Sequence, residues 1–341
     1  MEERKIWKKY ADYTFFRPYI QWTFRTCYSK VSVIDADKIP DAKKASVIFA
    51  TNHCNTLMDA LTLLQSRKEP TAFVARADIF KKPFFAHILN NLRILPIYRQ
   101  RDCADSTAKN IEIFAKITEC VNNGMAFAIF PEGTHRTRRS MLPLRRGTMH
   151  AAQLALQSNP ERPVYVVPAG ITYEDYFNLM RPVTIKFGDP IPIKDGCDSQ
   201  EMTSLLASRM SELFVCFPDD ENLAANEKAY EESVTPHYGF LHWILAVLLL
   251  PLFVLTGFLC LPMLLATLYL KKGLKDMAWI NTMRFASKLA LTPFTVAGAL
   301  IAGLIHLPWY FAIALAVLTL YAHPVFYRIL IFYKLLLRSN K

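Results

Sequence analysis

The sequence lacks the short motifs that indicate a metal or a cofactor. Its seven cysteines form no CxxC pair and no cysteine–histidine pattern typical of zinc sites. It has no P-loop, no glycine-rich dinucleotide fingerprint and no GxSxG elbow of a serine hydrolase. We therefore expect no metal, no bound cofactor and no disulfide framework, and we expect the thiols to lie in a reducing compartment. The N-terminus mixes acidic and basic residues without a continuous apolar run, which argues against a secretory signal.

Charged residues are scarce after Tyr238. Hydrophobic residues make up 52% of the whole chain, and the excess is concentrated in this part. Residues 241–270 are uncharged throughout, and as one helix they would extend about 45 Å, against about 30 Å of hydrocarbon in a bilayer. A second apolar region, residues 289–326, is interrupted at Pro308. We therefore predict a membrane-embedded helical region over residues 238–341.

The net charge of +11 favours an anionic partner. Beside an apolar C-terminal part, this charge indicates a lipid surface or a phosphorylated substrate rather than nucleic acid. Lysine and arginine cluster between the two apolar regions and again in the tail. The positive-inside rule then places the globular part, this linker and the tail on the cytoplasmic face. Two hairpins, turning near Pro251 and near Pro308, would satisfy the rule; two single spans, the alternative, would leave the linker on the opposite side.

Residues 1–30 interleave aromatic side chains with lysine and arginine. Such a segment can lie in the membrane interface, with its rings inserted and its cations at the headgroups. We predict an interfacial amphipathic helix here. The alternative is an N-terminal helix that packs on the core.

Between these two regions, residues 31–237 alternate short apolar runs with amphipathic stretches. Candidate strands cover residues 46–50, 72–75, 94–98, 125–130, 164–171 and 183–187, and candidate helices cover residues 104–121, 149–156 and 200–216. This alternation predicts an α/β domain with a mostly parallel central sheet flanked by helices. The charged stretch 217–237 marks its boundary with the C-terminal region.

A histidine, His53, directly follows the first buried strand, and a carboxylate, Asp59, comes six positions later. In open α/β sheets, ligands bind outside the carboxyl ends of the strands. His53 therefore lies where a general base would be useful, and Asp59 could orient its ring. Two simpler interpretations stay open: Asp59 also fits a helix capping box that begins at Thr56, and a histidine after a strand can be structural.

Three further strand ends carry polar residues or Pro and Gly, within residues 94–102, 130–136 and 166–171. Since the carboxyl ends of parallel strands meet at one edge of a sheet, four such endings predict one shared cleft.

The order and spacing of these four blocks resemble those of the glycerolipid acyltransferases, the family of lysophosphatidic acid and glycerol-3-phosphate acyltransferases. The family's blocks are NHxSxxD, a block ending in arginine, FPEGT followed by arginine, and VPxxI. Here they stand as NHCNTLMD at residues 52–59, ILPIYR at 94–99, FPEGTHR at 130–136 and VPAGI at 167–171. The likeness covers about residues 40–195 and leaves out the C-terminal region.

The resemblance implies a membrane-bound acyltransferase of phospholipid biosynthesis that moves a fatty acyl group from coenzyme A or acyl carrier protein to a glycerol phosphate. The acceptor it favours is 1-acyl-glycerol-3-phosphate; glycerol-3-phosphate and, from another class, lipid hydrolysis are the alternatives. It implies that His53 is the general base and that Asp59 fixes its tautomer. It further implies a substrate-binding set of Arg99, Arg101, Glu132, Gly133, Thr134 and Arg136, and an acyl channel lined by Val166, Pro168 and Ile171.

Two departures from the family pattern leave details open. One more residue separates His53 from Asp59 than in most of the family, and some glycerol-3-phosphate acyltransferases resemble this longer spacing, with an asparagine where Asn55 stands. In addition, His135 occupies the position after FPEGT where most members have arginine. The phosphate contact could then pass to Arg136, or His135 could reach inward.

Overall fold

The computed structural model describes residues 11–67, 69–81, 86, 89–90, 92–98 and 105–339. In these residues, eight strands form one sheet in the order β1-β7-β6-β2-β5-β3-β4, with β8 paired to β6. The strands are β1 Val31–Ile34, β2 Ser46–Thr51, β3 Thr71–Arg76, β4 Ile94–Ile97, β5 Ala126–Ile129, β6 Val164–Tyr173, β7 Val183–Phe187 and β8 Ile191–Ile193.

The sheet is mostly parallel. Strands β2, β3, β4, β5 and β6 run in one direction, while β7 and β8 pair with β6 in the antiparallel sense. In register, Ala50 of β2 pairs with Ile129 of β5 and with Pro168 of β6, so the carboxyl ends of these three neighbours lie at the same edge. The predicted α/β fold with a mostly parallel sheet is therefore confirmed.

Helices cover both faces of the sheet. They are α1 Ala11–Arg25, α2 Leu57–Gln65, α3 Ser106–Asn122, α4 Gly147–Ser158, α5 Ser199–Ser211 and α6 Leu223–Ser233. Because successive side chains of a strand point to opposite faces, Val47 and Phe49 belong to one core with Met58 and Leu63 of α2. Ile48 and Ala50 belong to a second core with residues of α3, α4 and α5. The central strand β2 is buried along its whole length, as expected of a strand covered on both sides.

The C-terminal region is helical, as predicted, with α7 Phe240–Leu259, α8 Leu261–Lys271, α9 Ile280–His306 and α10 Trp309–Arg338. In the described part of the chain, three helices are long and apolar enough to cross a membrane, and α8 is a shorter apolar helix. The predicted break at Pro308 is present, between α9 and α10. The turn predicted near Pro251 is wrong, because α7 continues through Pro251 and ends at Leu259.

The break between α7 and α8 lies at Cys260 for a local reason. A proline inside a helix removes one backbone hydrogen bond, which long apolar helices tolerate when neighbouring groups compensate. A proline in the first turn of a helix loses nothing, since the N–H groups there have no partner within the helix. Pro262 stands in the first turn of α8, directly after the break at Cys260.

The helical region is joined to the sheet domain by polar contacts. Lys334 of α10 donates to Asn178 Oδ1 at 2.8 Å, and Asn281 of α9 donates to the carbonyl oxygen of Tyr176 at 2.7 Å. The α9–α10 pair therefore begins and ends beside the domain. This is the arrangement that the hairpin prediction requires; embedding in a membrane stays a prediction.

Helix α1 packs on the rest of the chain. Arg25 Nε donates to Gln65 Oε1 at 2.9 Å, and the Tyr19 hydroxyl donates to the carbonyl oxygen of Leu289 in α9 at 2.7 Å. At the other end of the helix, Phe15 and Phe16 are exposed. The interface prediction for residues 1–30 stays open for these rings, and residues 1–10 lie outside the described part.

Candidate functional site

The loop between β2 and α2 holds His53 against Asp59. The Nδ1 atom of His53 lies 2.7 Å from Asp59 Oδ2, and the Asp59 side chain is fully buried. The same oxygen accepts the backbone N–H groups of Cys54 at 2.9 Å and Asn55 at 2.8 Å. Between the two residues, Thr56 adopts a positive φ of 48° before α2 begins.

Asp59 can orient the histidine and fix its tautomer. If Nδ1 carries the proton and donates it to Asp59, the Nε2 atom is left with a lone pair that can accept a proton. The His53 ring stacks on Phe130 with centroids 4.1 Å apart, which holds its plane. Asp59 also binds the backbone N–H groups of Cys54 and Asn55 in the loop before α2, whereas Thr56 makes no side-chain cap hydrogen bond, so the capping-box alternative is wrong.

Glu132, which follows β5, ties this loop to its neighbours. Its Oε1 accepts the backbone N–H of His53 and its Oε2 accepts that of Leu142, both at 3.0 Å. The residue is 4% exposed. Burial raises the pKa of Glu132, and the two backbone hydrogen bonds oppose that rise. Both carboxylate oxygens face amides, so the geometry favours the role of steadying the loop over direct contact with an anion.

The other predicted residues of the FPEGT block lie on the outside of the same loop. Gly133 has φ +70°, and a Cβ there would stand 2.6 Å from Nε of Arg145, while Thr134 is exposed. The backbone N–H of Arg136 donates to the carbonyl oxygen of His53 at 3.0 Å. Its guanidinium donates to Asp219 at 2.7 Å and to Ser140. Arg136 therefore positions His53 through its backbone, while its side chain binds other residues of the chain.

The predicted acyl-channel residues do not share one face of the sheet. All three are buried in β6, but Val166 belongs to the core with α3 and α4, whereas Ile171 belongs to the core with α2. Pro168 lies two positions from Val166, on the same face as Val166. The assignment of all three to one acyl channel stays a prediction. Arg99 and Arg101 lie outside the described residues.

The sequence reasoning assigned no role to four residues beside the site, which are Asn52, Asp276, Trp279 and Thr282. The Asn52 side chain bonds both backbone groups of Ile171, at 2.7 and 3.0 Å, and so joins the ends of β2 and β6. His135 Nε2 lies 2.7 Å from Asp276 Oδ2, and Trp279 and Thr282 follow on the same segment. In the sequence, one feature could have indicated a role for this segment: Asp276 is the single acidic residue in the basic linker before α9.

The described residues contain no group of three or more histidine, cysteine or acidic side chains that could hold a metal ion. Among these residues, the arrangement is a histidine with a buried carboxylate on Nδ1, while its Nε2 has no partner in the part of the chain that the structure describes. Such a pair can activate a hydroxyl group without a serine of its own.

Comparison with known proteins identifies the same part of the chain. A model of the acyltransferase family matches residues 30–172. The glycerol-3-phosphate O-acyltransferase 1 of Saccharomyces cerevisiae is 30% identical over 81 residues, which are 24% of this chain and 11% of that protein. The 1-acyl-sn-glycerol-3-phosphate acyltransferase of Cocos nucifera is 25% identical over 151 residues, 43% of this chain and 46% of that one. The chain thus spans less than half the length of these curated relatives.

A solved structure is also similar to this chain. The 1-acyl-sn-glycerophosphate acyltransferase of Thermotoga maritima superimposes with a TM-score of 0.43 at 18% identity, covering 70% of this chain and 86% of its own. The four sequence blocks and the family match over residues 30–172 identify the sheet domain. Over this part, the chain carries an acyltransferase-family match and is similar to glycerolipid acyltransferases.

Proposed function

We propose that this protein transfers a fatty acyl group from a thioester, carried by coenzyme A or by acyl carrier protein, to a hydroxyl group of a glycerol phosphate. The observation that supports this most is the 2.7 Å contact between His53 Nδ1 and the buried Asp59. An alcohol is a weak nucleophile at neutral pH, and a base aimed at its proton is the minimum that acyl transfer requires.

In the proposed reaction, Nε2 of His53 takes the hydroxyl proton while the hydroxyl oxygen forms a bond to the thioester carbonyl carbon. The carbon–sulfur bond then breaks, and the proton held by His53 passes to the departing sulfur. Asp59 stabilises the imidazolium that exists between these two steps. Water is not consumed, because the acceptor supplies the attacking oxygen.

The acceptor we propose is 1-acyl-glycerol-3-phosphate, in phospholipid biosynthesis. The relative from Cocos nucifera, which is named for that acceptor, matches over the longer segment, 151 residues. Glycerol-3-phosphate is the second candidate, for two reasons. The yeast relative is named for it, and the longer spacing between His53 and Asp59 resembles that of some first-step enzymes. A panel that offers both acceptors with both carriers, with the product identified by mass, separates the two.

The variant His53→Ala tests the proposal. We expect it to remain folded and membrane-bound while its transfer rate falls by about 10²–10⁴-fold, the usual contribution of a positioned base. His237→Ala, which changes an exposed histidine, is the control and should keep the full rate. More than a tenth of the rate remaining in His53→Ala would count against the base assignment. Thioester loss that needs no acceptor would favour a hydrolase instead.

We also propose that the sheet domain lies on the cytoplasmic face of a membrane, which α9 and α10 cross as one hairpin while α7 and α8 enter and leave it on the cytoplasmic side. Helices α9 and α10 have the necessary length and composition, and the basic linker between α8 and α9 contacts the domain through Asp276. A cysteine introduced by Gly273→Cys, in the exposed linker, should react with an impermeant maleimide in inside-out vesicles and not in right-side-out ones. The unmodified protein supplies the background, and the reverse labelling pattern would refute the orientation.

A further inference from the structure

The imidazole of His135 lies beside the proposed base and is held by a residue of the C-terminal region. The centroids of the His53 and His135 rings are 5.6 Å apart, and the rings meet edge to face. His135 Nε2 is bonded to Asp276 Oδ2 at 2.7 Å, and the ring of Trp279 lies 6.0 Å away on another side. The site thus contains two histidine–aspartate pairs, of which only the His53–Asp59 pair has a role in the reaction described above.

The segment that carries Asp276 is fixed to the site at further points. The hydroxyl groups of Thr56 and Thr282 are hydrogen-bonded at 2.7 Å. The carbonyl oxygen of Tyr176 accepts from Asn55 at 3.3 Å and from Asn281 at 2.7 Å. The loop that precedes α2 and the start of α9 are therefore joined beside His53, so the position of Asp276 is coupled to that of the proposed base.

Several charged groups surround His135 in the described part of the chain. From the loop after β2 it faces His53, with Asp59 behind; from its own loop, Glu132 is occupied by backbone amides and Arg136 by Asp219. From the linker it faces Asp276. Burial alone would raise the pKa of Asp276, but the N–H of Ala278 and the His135 ring together lower it below its ordinary value. The Asp276 carboxylate is thus ionised at neutral pH and can accept an N–H of the His135 ring.

An imidazolium with one nitrogen on a carboxylate can donate its second N–H to an anion. A glycerol phosphate carries its phosphate one or two carbons away from a free hydroxyl group. A hydroxyl at His53 would therefore bring the phosphate close to the neighbouring ring.

We propose that Asp276 is a positioning residue of this active site, which holds His135 beside His53 so that the second nitrogen of His135 binds the phosphate of the acceptor. The C-terminal region then completes the acceptor site in addition to anchoring the protein. The inference rests on the proposed function.

The test compares Asp276→Asn, His135→Ala and the double variant in the full-length protein, with acceptor KM and kcat measured separately. We expect each single variant to raise the acceptor KM about tenfold, the usual effect of losing a hydrogen bond to a charged group, with kcat nearly unchanged. The double variant should be no worse than His135→Ala, because Asp276 acts through His135. Additive losses would overturn the proposal.

The direction in which Asp276→Asn changes the acceptor KM distinguishes this proposal from a simple effect of net charge. Asp276→Asn removes a negative charge, which alone would tighten the binding of an anion; the proposal requires weaker binding. Lys275→Ala, which changes the exposed neighbour in the same linker, is the control and should leave the acceptor KM within about twofold of the unmodified value, as is usual for surface charges.

Calorimetric titration with glycerol-3-phosphate, without any acyl donor, tests the inference apart from the reaction. Weaker binding by Asp276→Asn in a protein that transfers no acyl group would support the inference and refute the proposed function. Equal binding by Asp276→Asn and the unmodified protein, or no binding by either, would refute the inference even if acyl transfer is observed.

Discussion

The imidazole of His53 and the carboxylate of Asp59 meet at a single oxygen, Oδ2, which also accepts the N–H groups of Cys54 and Asn55. This oxygen therefore orients the ring and shapes the turn before α2 at the same time. A fully buried carboxylate needs such donors, because burial of an unpaired charge is costly. The orientation of the proposed base and the shape of its loop consequently depend on one side chain.

Replacement of Asp59 by asparagine should impair both tasks. The amide has one oxygen for three donors, and its NH₂ group faces N–H groups if it is turned the other way. We expect kcat to fall by about 10²–10⁴-fold, as the wrong tautomer of His53 becomes populated. We also expect a loss of about 1–3 kcal/mol of folding stability from the N–H groups left without partners. Steady-state kinetics and thermal unfolding measure the two effects.

The double variant His53→Ala/Asp59→Asn serves as the internal check. If the two residues act as one unit, its kcat should equal that of His53→Ala alone. A further fall in kcat would mean that Asp59 has a separate task in the reaction.

The pairing of His53 with Asp59 could be foreseen because both lie within one loop and one helical turn. The position of Asp276 could not be, since it depends on how α9 packs against the loop before α2, more than two hundred residues away in sequence. The partners of Glu132 and Arg136 could not be foreseen either, because they are distant in sequence: the N–H of His53 for the first and Asp219 for the second. Motif spacing indicates which residue types come together at a site. It does not indicate which other side chains or backbone groups bind them.

In the fold, too, some elements could be predicted from the sequence and others could not. Apolar runs identified the central strands, because these are buried on both faces and read as continuous hydrophobic segments. Strands β1 and β8 were missed; they are short, and β8 contains a proline between two isoleucines. Helix α6 was read as a charged boundary, since only Leu223 of its residues is buried and no apolar stripe marks it. In the C-terminal region, the composition predicted helices, but Pro251 was not distinguishable from a turn without the packing of α7 against α10.

Glu132→Gln should loosen the loop after β5. Its amide can accept from one of the two backbone N–H groups, His53 or Leu142, and presents a donor to the other. We expect a loss of about 1–3 kcal/mol in folding stability, which for a domain of about 200 residues lowers Tm by about 2–4 °C per kcal/mol. Thermal unfolding in detergent measures it, with Glu161→Gln as the exposed control. An unchanged Tm would contradict the bracing role of Glu132.

Arg99→Ala tests the phosphate contact that the family resemblance assigns. Loss of a charge-assisted hydrogen bond should raise the acceptor KM about 10–100-fold with kcat nearly unchanged, which is the pattern of lost ground-state binding. Arg209→Ala, on the exposed face of α5, removes the same charge from a residue outside the predicted site and should leave KM unaltered. If KM is the same in both variants, Arg99 is not the phosphate contact.

Gly133 and Gly196 form a matched pair for testing the loop that carries Glu132. Both have a left-handed backbone, with φ of 70° and 72°, but a Cβ would meet Arg145 at 2.6 Å only at Gly133 and nothing within 4 Å at Gly196. Each alanine variant should lose about 1–2 kcal/mol of stability from the backbone conformation. Gly133→Ala should in addition lower kcat/KM several-fold, because the Arg145 side chain must move away from the loop. Combining Gly133→Ala with Arg145→Ala removes that clash. The loss of stability from the backbone conformation should then persist, while the additional loss of kcat/KM should disappear. If Gly196→Ala lowers kcat/KM as much as Gly133→Ala does, the Arg145 contact has no part in the effect.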